Sequence, residues 1–252
     1  MIITLSPAKT LDYKSTLPPL EVTRPRFPKE IARLALGAAQ LSAAQLGELM
    51  HISDKLAALN AERYHGFDDQ PERPALFAFN GDVYTGFEAK SLPEEAIDFA
   101  QDHVRILSGL YGLLRPLDAM KPYRLEMGTR WGPDNHPNLY DFWGEKIATQ
   151  LGKDAAEDGS NEILNLASNE YWQAVAPHPP KSARIVSIDF KEQGPKGLRF
   201  NSFGAKKARG MMARYVCEHR LDNLEAVKQF DSDGYAFDPT GSDAHVWRFV
   251  KG

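Results

Sequence analysis

Short apolar segments rich in β-branched residues interrupt a chain that otherwise has helical periodicity, and their irregular order is the strongest constraint on the fold. These segments predict strands at 1–5, 75–79, 163–167, 184–190, 198–202, 234–237 and 245–250. Periodicity and capping residues predict helices at 29–39, 42–50, 53–63, 93–108, 139–151 and 203–217. Because the two kinds of element do not alternate strictly, we expect an α+β (mixed α/β) fold with a mixed sheet and surrounding helices. No segment resembles an interdomain linker, so we expect residues 1–252 to form a single domain.

The composition limits the class of protein. The chain has 252 residues, of which 42% are hydrophobic and 25% charged, as in ordinary globular proteins. No apolar run approaches the ~20 residues that span a membrane, and residues 1–5 do not resemble a secretory signal. One cysteine excludes an internal disulfide, and seven scattered histidines lack metal-ligand spacing, although carboxylates alone can bind magnesium. We therefore expect a cytoplasmic protein with no cofactor and no membrane partner.

The charge of residues 181–220 is opposite in sign to that of the whole chain. This segment has ten Lys or Arg and three acids, a net charge of +7, whereas the chain carries −4. Such an asymmetry indicates a polyanionic partner. A helix over 203–217 places these cations on one face: Lys206, Lys207, Arg209 and Arg214. Small residues in the middle of that face predict close approach of a sugar-phosphate backbone, and a solvated amphipathic helix is the alternative.

The one cysteine, Cys217, belongs to the same basic face. Neighbouring cations would lower the pKa of its thiol and make it reactive. No second cysteine is present to form a disulfide with it, so we favour a small packed residue at this position.

Two glycines separated by two residues form the next motif. The turn consists of Gly109, Leu110, Tyr111 and Gly112, and the cations that follow it are Arg115, Lys121 and Arg124. Between two helices, this spacing leaves backbone N–H groups free at a helix start, where a phosphate binds. The motif therefore predicts a helix-hairpin-helix, which binds the nucleic-acid backbone without reading bases. A C-cap glycine followed by an ordinary turn is the alternative.

A further phosphate-binding candidate follows the first predicted strand. Ser6 can cap a helix and Pro7 can occupy its first position, which places Lys9 at the positive end of that helix. Lys9 is then either an anion contact or an ordinary surface cation.

Acidic residues in loops keep an enzymatic alternative open. The carboxylates considered for the same cleft are Asp12, Asp82, Glu126 and Asp134. Ser168 and Glu170 also follow a strand, where active sites often lie, although such residues more often form turns. The alternative to a binding protein is a glycosylase-like or nuclease-like enzyme acting on DNA or nucleotides.

Sequence blocks spread from the first strand to the basic helix resemble one known family, the YaaA-type peroxide stress proteins of bacteria. The blocks lie at 5–13, 52–56, 81–86, 107–112, 115–118, 122–128, 165–168 and 205–210. The resemblance implies a mixed α/β fold with a positively charged cleft and a helix-hairpin-helix. It also implies DNA binding without strong sequence preference, survival of hydrogen peroxide, lowered intracellular iron and links to DNA repair.

Carried over to this chain, the resemblance assigns the hairpin to 109–112 and the cleft cations to Lys206, Lys207 and Arg209. The chain departs from the family pattern at Asn80, where a Lys is expected, and at Gly204, where an aromatic residue is expected.

These observations together predict a DNA-binding protein that contacts the backbone of double-stranded or structured DNA, with DNA-repair proteins as further partners. Six cations are expected to border a single groove: Lys9, Arg115, Arg124, Lys206, Lys207 and Arg209. Because no His/Cys cluster is present, we expect any effect on iron to be indirect.

Overall fold

The computed structural model describes residues 1–252, and a mixed β-sheet lies at its centre. The chain forms ten strands: β1 (Ile2–Leu5), β2 (Arg73–Pro74), β3 (Val104–Ser108), β4 (Gly112–Leu114), β5 (Ala119–Met120), β6 (Glu162–Asn165), β7 (Arg184–Gly194), β8 (Gly197–Arg199), β9 (Tyr235–Asp238) and β10 (Val246–Lys251). Eight of them form one sheet in the order β4-β3-β1-β6-β7-β10-β9, with β8 paired to β7, while β2 and β5 form a separate pair.

Five neighbouring strands of the large sheet are parallel. β1 pairs with β3 on one side and β6 on the other, and β7 pairs with both β6 and β10. The antiparallel strands β4 and β9 form the two edges. The sheet confirms the predicted mixed α/β class. It also brings the carboxyl ends of β1 and β6 together at one edge, which is where ligands usually bind in open parallel sheets.

Eleven α-helices accompany the sheet: α1 (Pro28–Ala39), α2 (Ala43–Met50), α3 (Asp54–His65), α4 (Ala75–Ala78), α5 (Asp82–Phe87), α6 (Glu94–His103), α7 (Leu139–Trp143), α8 (Lys146–Glu157), α9 (Asn169–Trp172), α10 (Ser202–His219) and α11 (Leu224–Val227). The helices predicted around α1, α2, α3 and α10 are confirmed, and Ser42 and Gln45 form a capping box at the start of α2. None of the helices has both the length and the apolar character that crossing a membrane requires.

The helix predicted at 93–108 is wrong in its second half. Helix α6 ends at His103, and β3 begins at the next residue. Every residue of β3 is buried, including Arg105, and no Gly or Pro separates the strand from α6, so the local sequence does not mark the change from helix to strand. These residues form a strand because they pair in parallel with β1, which lies more than 90 residues away in sequence.

Three other predicted elements also differ from the structure. No helix directly follows β1, so Lys9 does not lie at the positive end of a helix. The strand predicted at 75–79 is the short helix α4, whose two alanines favour helix. The helix predicted at 139–151 is divided into α7 and α8 at Gly144, where a φ of +49° ends the first of them.

The segment 109–112 is not a helix-hairpin-helix, because it forms the turn of the β-hairpin between β3 and β4. Both glycines allow neighbouring residues to approach closely, because a side chain at either position would overlap them. A Cβ on Gly109 would lie 2.3 Å from the carbonyl oxygen of Leu125, and one on Gly112 would lie 2.7 Å from the ring of Trp143. Gly112, with a φ of +71°, has the left-handed conformation. All four turn residues are buried, so their N–H groups do not face solvent.

The small residues of α10 serve to pack another helix. A Cβ on Gly210 would lie 1.8 Å from the carbonyl oxygen of Val83 in α5, and one on Gly86 would lie 2.1 Å from the carbonyl oxygen of Lys207. The middle of the predicted cationic face is therefore buried against α5. The expectation that it admits a sugar-phosphate backbone is wrong, because a helix backbone already occupies that space.

This packing predicts opposite effects for the same substitution in two helices. We expect Gly210→Ala to lower the free energy of unfolding by about 1–3 kcal/mol, because the methyl group overlaps a backbone oxygen. Gly47→Ala is the matched control in α2, since its Cβ would meet only ordinary contacts from 3.4 Å outward. That variant should be neutral or up to about 1 kcal/mol more stable. Urea unfolding of both variants measures the difference, and equal effects would contradict the packing argument.

Candidate functional site

A cavity of about 340 Å³ lies at the carboxyl ends of β1 and β6, and we call it the inner cavity. It lies where the loops after the two strands meet α5, α10 and the segment after β5. The polar side chains that line it are Ser6, Lys9, Thr10, Asn80, Asp82, Glu126, Ser168, Glu170, Tyr171, Lys206 and Arg209. Cations and carboxylates from five separate parts of the chain therefore face one another across a small volume.

Two serines join the strand ends beneath this cavity. Ser6 follows β1, and its Oγ accepts a hydrogen bond from the backbone N–H of Ser168 at 2.8 Å. The two hydroxyl oxygens are 3.2 Å apart, and the hydroxyl of Tyr84 donates to the carbonyl oxygen of Ser6 at 3.1 Å. These bonds fix the loops after β1 and β6 relative to α5.

Glu126 provides the most constrained carboxylate of the cavity. Its Oε1 lies 3.2 Å from the Lys9 ammonium and accepts a hydrogen bond from Arg124 Nε at 3.1 Å. Its Oε2 is buried and has no hydrogen-bond partner. The contact between Gly109 and Leu125, one residue earlier, fixes the backbone from which Glu126 projects. Glu126 therefore presents an acceptor atom without a donor.

Arg209 is the corresponding cation on α10. Its side chain is partly buried, and its Nε is buried without a hydrogen-bond partner. Burial lowers the pKa of the guanidinium, and the charge of Asp189 opposes that effect. Asp189 also lies near two other cations, Lys191 at 3.4 Å and Arg248 at 3.7 Å. Arg209 therefore faces the cavity with donor capacity unused inside the protein.

Lys206 and Lys207 have different positions although they are neighbours. Both are exposed on α10, but only Lys206 lines the inner cavity. The backbone of Lys207 faces Gly86 in α5.

A larger cavity of about 880 Å³ adjoins the inner one, and we call it the outer cavity. The two share the lining residues Lys9, Glu126 and Glu170, so they adjoin, and we call the two cavities together the cleft. The other side of the outer cavity is formed by α2, and the loop residues Arg130 and Trp131 also line it. No sequence pattern predicted this cation and this aromatic ring, and their adjacency in the chain is the only local signal for them.

Three predicted cations lie outside the cleft and have partners in the protein. Arg115 binds Asp118 at 2.9 Å, and Arg214 donates to the carbonyl oxygen of Phe87 at the end of α5. Lys121 donates to the carbonyl oxygen of Asp68 at 2.8 Å. Of the six cations expected to border one groove, Lys9, Lys206 and Arg209 line the inner cavity. Arg124 lines neither cavity but donates to Glu126, and Arg115 and Lys207 lie outside both.

The acidic candidates also separate into two groups. Asp82 and Glu126 line the inner cavity. Asp12 accepts hydrogen bonds from the N–H groups of Lys14 and Ser15, and hydrogen bonding lowers the pKa of its carboxyl group. Asp134 forms an exposed ion pair with Arg33. No group of three or more His, Cys, Asp or Glu side chains is arranged to bind a metal ion.

The two departures from the family pattern lie near the cleft. Asn80 lines the inner cavity, at a position where the resemblance leads us to expect a Lys. Gly204 follows Phe203, whose side chain is 74% exposed at the start of α10. An aromatic ring is therefore present one residue before the expected place.

Cys217 is completely buried in the core, and burial raises the pKa of its thiol. The expectation of a packed residue is confirmed, and the charge of Glu218 raises the pKa of the thiol further.

Comparison with known proteins agrees with the sequence blocks identified above. The family described as peroxide stress protein YaaA matches residues 1–241. A UPF0246 protein of Rhizorhabdus wittichii is 63% identical over 251 residues, which cover 100% of this chain and 99% of the relative. UPF0246 proteins of Idiomarina loihiensis (51% identical; 94% of this chain, 93% of the relative) and Caulobacter vibrioides (48%; 100% and 99%) are also similar. The chain therefore belongs to the peroxide stress protein YaaA family.

Proposed function

We propose that this protein binds DNA through the cleft, as part of the response to hydrogen peroxide. The observation that carries the proposal is Arg209, a partly buried guanidinium whose Nε has no hydrogen-bond partner. A buried donor left without an acceptor costs about 1–3 kcal/mol, which an anion that accepts from it offsets. Lys9 and Lys206 line the same cavity, so the anion meets three cations from two separate segments, beside the carboxylates of Asp82, Glu126 and Glu170.

A polymer suits this cleft better than an isolated anion does. The outer cavity continues from the inner one past Arg130 and Trp131, so a chain of phosphates can follow it. An aromatic ring beside a cation is a usual surface for nucleic-acid strands. The cations lie on one helix and two loops, and no helix presents a row of base-reading side chains, which favours contact with the backbone.

The family supports a role in peroxide stress, and the remaining parts of the proposal follow from DNA binding. Bound in the cytoplasm along the DNA backbone, the protein protects DNA or presents it to repair proteins. We place the lowering of intracellular iron downstream of this binding, because no group of three or more His, Cys, Asp or Glu side chains is arranged to bind a metal ion.

Arg209→Met separates a binding role from a structural one. We expect its affinity for duplex DNA to fall at least about tenfold, because a hydrogen bond to a charged group contributes about 1.5–3 kcal/mol. The free energy of unfolding should stay the same or rise, since the substitution removes a buried atom without a partner. DNA titration beside urea unfolding tests both expectations. A variant that binds normally while folded would contradict the proposal.

The salt dependence of binding provides a second test. Each phosphate contact releases counterions, so we expect Lys206→Ala to reduce the slope of log K against log salt by about one unit. Lys207→Ala is the matched control, because this exposed neighbour does not line either cavity. The measurement is titration of several unrelated duplexes between low and physiological salt. Equal slopes for both variants and the unaltered protein would remove Lys206 from the interface.

A further inference from the structure

We infer that the inner cavity receives a single nucleotide unit, with its phosphate on Arg209 and Lys206 and a donor group of its base or sugar on Glu126 Oε2. The placement of the phosphate rests on the proposed function. The recognition of the base or sugar by Glu126 is the additional inference.

The size of the cavity limits what enters it. Its volume of about 340 Å³ is near the lower end of the about 300–1,000 Å³ found for small-molecule pockets. A paired duplex does not fit such a space, whereas one unpaired nucleotide is a small molecule of suitable size. The surrounding loops are fixed by the bonds between Ser6, Ser168 and Tyr84, so the cavity does not depend on a loose segment.

Two polar atoms at the cavity lack hydrogen-bond partners, and they suit a ligand that carries both an acceptor and a donor. Arg209 Nε is a donor without an acceptor, and Glu126 Oε2 is an acceptor without a donor. A bare phosphate would satisfy the first atom and be repelled by the second. A nucleotide satisfies both, because its phosphate accepts hydrogen bonds while its base amino groups or sugar hydroxyl donate them.

The other oxygen of Glu126 is already occupied. Oε1 lies within 3.2 Å of both Lys9 and Arg124, and these two cations hold the carboxylate in one orientation. A single oxygen therefore remains for the ligand. This arrangement favours one donor, such as an exocyclic amino group, over the paired donors that a free carboxylate would accept.

The nucleotide can be free, or it can be turned out of a DNA strand. Enzymes and other proteins that reach a base inside a duplex rotate it into a pocket at the cost of a few kcal/mol of stacking and pairing. The adjoining outer cavity, with Arg130 and Trp131, has room for the neighbouring part of the strand. Both sources offer the same phosphate and donor groups, and experiment distinguishes them.

The first experiment uses the unaltered protein. Calorimetric titration with deoxyadenosine monophosphate and with inorganic phosphate at equal ionic strength tests the free nucleotide. Fluorescence of 2-aminopurine placed within a duplex tests the extruded one, because unstacking increases its emission. We expect the mononucleotide to bind at least tenfold more tightly than phosphate, or the emission to rise on binding. If neither occurs, the inference is overturned.

The second experiment uses Glu126→Gln and its matched control, Glu170→Gln. With the amide oxygen retained by Lys9 and Arg124, the Gln side chain turns an NH₂ group toward the cavity and replaces the acceptor by a donor. We expect at least a tenfold loss of the response that the first experiment detects. Glu170 lines the same cavity and accepts from the N–H of Gly128, so its variant removes equal charge without removing the unpaired acceptor.

The outcomes separate this inference from the proposed function. If the two Gln variants behave alike while Arg209→Met still weakens duplex binding, the cleft binds DNA but Glu126 does not recognise a nucleotide. If Arg209→Met leaves duplex binding unchanged, the proposed function itself fails. Thermal unfolding of each variant is recorded alongside, and the experiment on the unaltered protein decides the matter if Glu126→Gln does not fold.

Discussion

The contact between α5 and α10 determines where the cations of the cleft lie. Gly86 and Gly210 allow the two helices to meet backbone to backbone, and any side chain at either position would overlap a carbonyl oxygen. Arg209 directly precedes one of these glycines and Lys206 lies one turn earlier, so neither can move relative to the strand ends without breaking the contact. Close packing at the two glycines therefore fixes the backbone positions of Lys206 and Arg209.

The acidic side of the cleft depends on a similar contact. Gly109 lies against the backbone of Leu125, and the indole N–H of Trp143 donates to the carbonyl oxygen of Gly109 at 2.9 Å. The β3–β4 hairpin thereby supports the segment that carries Glu126. Both sides of the cleft are thus positioned by a glycine that touches a carbonyl oxygen, which gives side chains from distant parts of the chain a defined separation.

Local sequence signals predicted several elements and failed where distant pairing decides. Strands β1, β6, β7, β9 and β10, helices α1 to α3 and the basic helix follow from composition, periodicity and caps. The strand β3 does not, because no Gly or Pro separates it from α6 and its pairing with β1 is a distant contact. Lys9 and the cations of α10 were found from charge and spacing. That Ser6, Glu126 and Ser168 join them depends on the order β3-β1-β6, and no local pattern contains that order. The glycines at 109 and 112 were recognised as special, but their function in packing depends on residues that follow later in the chain.

The burial of Cys217 has a consequence for a protein whose family acts under peroxide stress. Hydrogen peroxide oxidises thiolates that solvent can reach, and this thiol is both buried and held in its protonated form. The chain contains no other cysteine, so the oxidant finds no sulfhydryl group through which to alter the helix that carries the cleft cations. The only thiol of the chain is therefore protected from the oxidant by the packing of the helix that carries it.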